Sequence, residues 1–319
     1  FMKVKTYLKV SNPTERCLFI NVSDISLKLF RGSKLKKSFK VIRYNSEKNS
    51  KSILEYVKRL NIKIIVIETS NLNHLPQNLT NDIIDARLNG VRVYDAQEFY
   101  EIVNRRIPLV KLNSNEYLAD DIFSIGLKHH SGLSSKRIVD ILVALSILPL
   151  ALPLVVLGCL LTLMTSSGNV FFVQERVGIS SKRFKIYKIR TMKSKHSGGY
   201  TTSNDDRITN IGKFLRLSKI DELPQIFNIL KGDMSLIGPR PERPEFVDIY
   251  NEENAYFDLR HVIKPGVTGW AQVNLPKATP EDNLKKLEYD LYYIKNYSPK
   301  LDIEIILRTV RVVLTMNSN

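Results

Sequence analysis

Two neighbouring carboxylates, Asp221 and Glu222, close a stretch rich in Lys and Arg: residues 176–219 hold twelve basic and two acidic side chains. A carboxylate can attack phosphorus to form a mixed anhydride, which divides one difficult transfer into two easier ones. An anionic nucleophile and an anionic phosphate repel, so the reaction needs cations beside it, and a metal ion is the usual supplement. The pair could therefore supply a nucleophile and a metal ligand or base, with Arg216 close by in sequence. Adjacent residues on a regular helix point about 100° apart, so joint action requires a helix end or a loop. Leu223-Pro224, directly after the pair, suits a first helical turn. The same pattern also suits a plain helix cap, in which Asp and Glu complement the positive end of the helix dipole. Spacing alone leaves both readings open.

The basic stretch has internal order. Arg176 precedes Gly178, and Phe184-Lys-Ile-Tyr-Lys-Ile-Arg-Thr-Met192 then alternates large apolar residues with Lys185, Tyr187, Lys188 and Arg190. Asp205-Asp206-Arg207 and the run ending in Arg216 follow. Grouped guanidinium and ammonium donors suit a diphosphate, whose charge they offset and whose oxygens they orient. The net charge of +16 also suits nucleic acid or an anionic membrane surface. After the dyad comes Gly238-Pro-Arg-Pro241, too rigid for a helix or a central strand.

These residues need elements to hold them. Residues 141–164 form 24 uncharged, apolar positions, more than the roughly 20 that span a bilayer as a helix. Basic residues flank the segment on both sides, so both ends favour the cytoplasmic face. Pro149 and Pro153 lie near its middle, where each removes a backbone donor. We expect a re-entrant helix over about 138–165 that kinks at these prolines and returns through one leaflet. An apolar segment beside the basic cluster argues against nucleic acid as the partner.

The first 130 residues read differently. CLFINV (17–22), IKIIVIE (62–68) and VRVY (91–94) are strand-like, with helical spacing over 50–60 and 79–88 between them. Strand–helix–strand–helix–strand predicts an α/β, doubly wound, Rossmann-like domain. No GxGxxG follows the first strand, where Ser23-Asp24-Ile25 stands, so a dinucleotide site is not expected. We read this half as a regulatory or assembly module, with residues 113–135 as a connector. Cys17 and Cys159 are the two cysteines, which excludes a disulfide framework and favours a reducing compartment. The first residues lack a signal-peptide core. Near the end, 283–297 and 301–314 have helical periodicity, and the first mixes Leu, Tyr and Lys like an interfacial helix.

The second half resembles the bacterial sugar transferases, the monotopic polyprenyl-phosphate phosphoglycosyl transferases. The resemblance rests on KRIVD (136–140), VFFVQERVG (170–178), FKIYKIRTM (184–192), RITNIGKFLR (207–216), DELPQIFNILKGDMSLIGPRPERPE (221–245), KPGVTGWAQVN (264–274) and KLEYDLYYIKNYS (286–298). VYDAQEFYE (93–101) and RRIPL (105–109) resemble the Rossmann-like domain of larger relatives. Those relatives usually carry four transmembrane helices ahead of it, so we expect a shorter variant or a truncated one. The expected layout is residues 1–130 as a Rossmann-like domain and 131–319 as a mainly α, monotopic membrane catalytic domain.

The resemblance implies that Asp221 attacks a UDP-sugar, releasing UMP and leaving a phosphosugar on the enzyme. Undecaprenyl phosphate then accepts it, in the first membrane step of capsule, exopolysaccharide or O-antigen synthesis. Glu222 matches the second acid of the family's dyad, which works with Mg²⁺. Lys188 and Arg216 match basic residues near the active site, Arg190 belongs to the same substrate-binding cluster, and Pro239-Arg240-Pro241 matches the loop that engages the nucleotide-sugar. Pro153 matches the helix-breaking proline, while Leu152 replaces the Ser that usually precedes it. The implied location is the cytoplasmic face of a bacterial inner membrane among lipids, and a homodimer is compatible with this reading. A non-catalytic membrane scaffold of polysaccharide synthesis is the alternative.

Overall fold

The computed structural model describes residues 15–30, 39–45, 52–68, 75–109, 130–165, 167–193, 205–254 and 256–315. The chain divides into two compact units, Phe1–Leu112 and Asn113–Asn319.

The N-terminal unit is built on four parallel strands: β1 (Glu15–Ile20), β2 (Phe39–Tyr44), β3 (Ile62–Ile67) and β4 (Arg92–Asp95). Their order across the sheet is β2-β1-β3-β4. Successive side chains point to opposite faces, so a strand covered on both sides reads as an unbroken apolar run. Cys17, Phe19, Ile64 and Val66 meet Phe30, Phe99 and Tyr100 on one face, from α1 (Asp24–Leu29), its cap and a C-terminal helix. Leu18, Ile20, Ile65 and Ile67 meet Ile53, Leu79 and Ile83 on the other. The helices are α2 (Ile53–Leu60), α3 (Gln77–Leu88) and α4 (Ala96–Asn104), the last carrying Phe99 and Tyr100. β1 ends at Ile20 rather than Val22 because Asn21 turns into the left-handed region at φ 49°.

The turn after β1 is closed from within. Glu68, at the end of β3, accepts from the Ser23 amide (2.8 Å), the Ser23 hydroxyl (3.2 Å) and the Ser26 hydroxyl (2.7 Å). A carboxylate of the chain thus sits where a Gly-rich turn would cradle a phosphate. The connector expected over 113–135 lies outside the described residues up to 129, and its last residues are helical.

The C-terminal unit is mostly helical. It begins with α5 (His130–Thr165), a single helical segment that contains Pro149 and Pro153. Within it Ser135–Thr165 is long and apolar enough to cross a membrane, by length and composition. Asp140, Ala144, Ala151, Val155 and Thr162 recur on one face and are buried. Most of the rest of the helix, including Leu142, Leu150, Val156 and Leu160, is exposed and apolar. The buried stripe packs on Ile186, Ile226, Ile229 and Met234 near its start and on Ile189 and Leu215 further along. Arg137 donates to the carbonyls of Ile229 and Leu230, Lys136 pairs with Asp302 at 3.0 Å, and Thr162 donates to the Arg190 carbonyl.

Two antiparallel strands follow, β5 (Phe171–Val177) and β6 (Arg183–Ile189), joined by a tight turn with Ser180 and Ser181 at φ 53° and 56°. The alternating basic run is therefore a strand, which its period of two indicates in retrospect. Next come α6 (Asn210–Leu217), a one-turn helix at Ile220–Glu222, and α7 (Gln225–Lys231). β7 (Ser235–Ile237) pairs in parallel with β8 (Gly266–Thr268) across α8 (Pro244–Glu253). The unit ends with α9 (Trp270–Asn274), α10 (Asn283–Lys295) and α11 (Pro299–Leu314). Most apolar residues of α10 are not interfacial: Leu287, Leu291, Tyr292, Tyr293 and Ile294 are packed inside the unit, and Leu284 in its first turn is exposed.

Candidate active site

The dyad lies on a tight turn between helices, as joint action requires. Lys219 enters it at φ 58°, a left-handed conformation that is uncommon for a residue with a side chain. The Glu222 and Leu223 amides then bond back to the carbonyls of Lys219 and Ile220. The helix-cap reading does not describe this geometry, because Pro224 is the cap of α7 and no side chain caps the helix. The turn rests on α5 through Gly158, where an added Cβ would lie 2.8 Å from Ile189 Cδ1 and 3.3 Å from Ile220 Cγ2. Asp221 is thus one residue from the long helix.

The two acids have different surroundings. Asp221 is 7% exposed, and its Oδ1 is buried with no hydrogen-bond partner. Burial, then the Glu222 charge, pushes its carboxyl up to about 6, against the pull of Lys188, Lys219 and Arg216. Glu222 Oε1 accepts from Lys188 Nζ at 2.6 Å and from Arg240 at 2.9 Å. Burial acts to raise this acid, but Lys188 and Arg240 outweigh it and hold Glu222 well below the usual carboxylate range. One carboxylate is locked by cations; its neighbour presents an oxygen.

Each cation is positioned by backbone. Lys188 is on β6, whose open edge is bridged by the Asn228 side chain: it accepts from the Tyr187 amide and donates to the Lys185 carbonyl. Arg240 projects outward between the buried Pro239 and Pro241. Its loop is held where Gly238 and Gly266 cross so closely that a Cβ on either would meet the other segment's backbone. The Gly266 amide donates to the Pro239 carbonyl. Arg216 donates to Thr191 Oγ1 at 2.8 Å, and its charge acts on Asp221. Arg190 directly follows β6; its amide donates to the Val170 carbonyl and its own carbonyl accepts from Thr162 of α5.

Sequence reading named Arg176 only as part of the basic run and missed Arg260 and Asp290, which support the Arg240 loop. Arg260, 3% exposed, donates to the Arg240 carbonyl at 2.9 Å and to Asp290 Oδ2 at 2.8 Å. Arg176 donates to the Pro241 carbonyl at 3.2 Å. Two guanidinium groups therefore grip the backbone on which Arg240 stands. Among the described residues no group of three or more His, Cys, Asp or Glu side chains is placed to hold a metal ion alone.

A profile of the family described as bacterial sugar transferase matches residues 131–316, which contain every group named above. The chain belongs to the bacterial sugar transferase family. Among members, a UDP-N-acetylgalactosamine-undecaprenyl-phosphate N-acetylgalactosaminephosphotransferase of Aeromonas hydrophila is 40% identical over 232 residues, 70% of this chain and 53% of the relative. A UDP-glucose:undecaprenyl-phosphate glucose-1-phosphate transferase of Xanthomonas campestris is 35% identical over 280 residues, 82% of this chain and 55% of the relative. The uncharacterized sugar transferase EpsL of Bacillus subtilis is 39% identical over 180 residues, 56% of this chain and 87% of the relative. The chain spans about half the length of the first two bacterial sugar transferases.

Proposed function

We propose that this chain transfers a sugar-1-phosphate from a UDP-sugar to undecaprenyl phosphate by a two-step displacement at phosphorus. A carboxylate oxygen of Asp221 attacks the sugar-bearing phosphorus. The bond to the bridging oxygen breaks, and UMP leaves with that oxygen and the bonding pair. A phosphate oxygen of undecaprenyl phosphate then attacks the same phosphorus. The Asp221 carboxylate is released, and an undecaprenyl-diphosphate sugar is the product. The observation that carries this reading is the buried Asp221 oxygen that has no hydrogen-bond partner and lies within the electrostatic reach of Lys188, Lys219 and Arg216. Lys188, Arg216 and Arg240 hold the diphosphate and offset its charge.

The dyad fits Mg²⁺, which usually takes one or two carboxylates together with waters and substrate phosphates rather than an all-protein cage. Asp221 and Glu222 would hold it, and when bound it would neutralise charge on the diphosphate. The long apolar helix and the undecaprenyl-phosphate chemistry of the relatives support a membrane location, read as the cytoplasmic face of the inner membrane. α5 packs on the charged catalytic body from Asp140 to Thr162, which supports a helix that dips into one leaflet instead of crossing. The N-terminal unit reads as a Rossmann-like regulatory or assembly module, and the Glu68 carboxylate, bonded from the end of β3 to Ser23 and Ser26 in the first turn, disfavours a nucleotide phosphate there.

The test is UMP release across a panel of UDP-sugars with undecaprenyl phosphate. We expect release with at least one sugar, dependent on a divalent cation and lost in Asp221→Asn. Wild-type rates in Asp221→Asn would remove the nucleophile assignment, and no release with any sugar would leave the scaffold reading.

A further inference from the structure

The turn that carries the dyad is followed by a second polar atom without a partner. Gln225, the first residue of α7, is 2% exposed, and its Nε2 is buried with no hydrogen-bond partner. Asp221 Oδ1 is buried and unbonded in the same way. One atom is a donor and the other an acceptor, so a single N–H···O bond between them would satisfy both. A buried N–H left unpaired costs folding free energy, and such an atom in a folded chain calls for a reason.

The backbone brings the two residues within reach. The one-turn helix Ile220–Glu222 runs through Leu223 (φ −56°, ψ −34°) and Pro224 (φ −58°, ψ −16°) into α7 without leaving the right-handed region. Residues four apart on helical backbone are neighbours, and Gln and Asp are among the side chains that pair at this spacing. Two of the cations near Asp221 already have partners: Lys188 Nζ bonds to Glu222 Oε1, and Arg216 Nε to Thr191 Oγ1.

We infer that the Gln225 amide donates a hydrogen bond to the buried Asp221 oxygen as the phosphosugar leaves the enzyme. The inference rests on the two-step reaction proposed above. With phosphorus on one Asp221 oxygen, the other is the carbonyl oxygen of a mixed anhydride. In the second step an undecaprenyl phosphate oxygen bonds to phosphorus, the bond from phosphorus to Asp221 breaks, and its electron pair returns to the carboxyl group. Resonance spreads that charge over both oxygens, the buried one included. An N–H bonds more strongly to a carboxylate than to a neutral carbonyl. Gln225 therefore favours the free carboxylate over the adduct, and assists discharge rather than attack. It is a positioning residue that acts through Asp221.

The test uses the full chain and a UDP-sugar that the wild type turns over. Gln225→Met keeps the side-chain length and removes the donor, and Gln225→Leu is a second donor-free variant. With the donor alone, the phosphosugar adduct on Asp221 should form at least as fast as in the wild type. After undecaprenyl phosphate is added, its discharge should be slower by about tenfold or more, as the loss of a charge-assisted bond implies. Melting temperatures should not fall, because no bond of the resting fold is removed. Discharge at the wild-type rate in both variants overturns the inference. Adduct formation and discharge that decline together, in step with a lowered melting temperature, overturn it in favour of a packing role. A wild type that forms no adduct with any UDP-sugar overturns it together with the two-step reaction.

Discussion

At the residue scale, the site divides into groups that would meet substrate and groups that hold them. Arg240→Ala should lower kcat/KM for the UDP-sugar by about 30- to 100-fold, since a charge-assisted contact contributes roughly 2–3 kcal/mol. Asp290→Asn should instead raise KM a few-fold with kcat closer to wild type, because Asp290 acts through Arg260 on the Arg240 backbone. Steady-state rates of UMP release separate the two patterns, and equal kcat losses in both variants would contradict the division. A second prediction concerns His261, whose Nδ1 lies 3.1 Å from Ser181 Oγ and 3.0 Å from Asp258 Oδ1. Burial, then the Arg260 charge, pulls its imidazole down from 6.5 to about 4. Between those values the unfolded chain binds a proton that the folded chain does not, so stability falls as pH drops through this window. Denaturant titrations should show the wild type losing ~2 kcal/mol more between pH 7 and 5 than His261→Gln. Equal losses would show that His261 is not the group responsible. The dyad and the basic run beside it were legible by residue type, with a helix cap as the competing reading, and the family resemblance singled out Lys188 and Arg240. Arg260 and Asp290 were not legible, since they lie 30 residues apart and reach the site through a main-chain carbonyl.

At the element scale, the close approach of α5 to the dyad turn depends on Gly158. Gly158→Ala meets the tip of Ile189, which can rotate, and should cost no more than about 1 kcal/mol. Gly158→Leu must displace Ile220, next to Asp221, and should cost about 2–3 kcal/mol with a parallel loss of UMP release. Val156→Leu, on the exposed face of the same helix, serves as the control and should change neither. Thermal melts and activity of the three variants check this, and an active, fully stable Gly158→Leu would contradict the packing. Continuous apolar runs made β1 and β3 readable, because both faces of each are covered. β2 escaped notice, as Lys40 and Arg43 interrupt its apolar pattern on partly open ground. Sequence periodicity marked both α10 and α11 as amphipathic. Which of them buries its apolar face is decided by packing partners distant in sequence, which no local pattern contains.

At the scale of the whole molecule, a +16 charge and one long apolar helix call for separable contributions to membrane binding. Charge steers encounter and is screened as the Debye length shrinks from about 10 Å at 0.1 M salt. Burial of apolar surface, once made, is not screened. Raising salt to 0.5 M should therefore slow association with anionic vesicles several-fold yet leave bound protein in place, as flotation assays would read. Release of bound protein by salt would contradict insertion. In the proposed reaction the cations around the dyad and the long apolar helix serve one event, a covalent bond to Asp221. Trypsin would release that residue in the peptide 220–231, cut after Lys219 and Lys231. Mass spectrometry after incubation with the donor alone should find this peptide heavier by one sugar phosphate. The adduct should vanish when undecaprenyl phosphate is added and never form in Asp221→Asn. An unmodified peptide in protein that is turning over, or the same adduct in Asp221→Asn, would contradict the account.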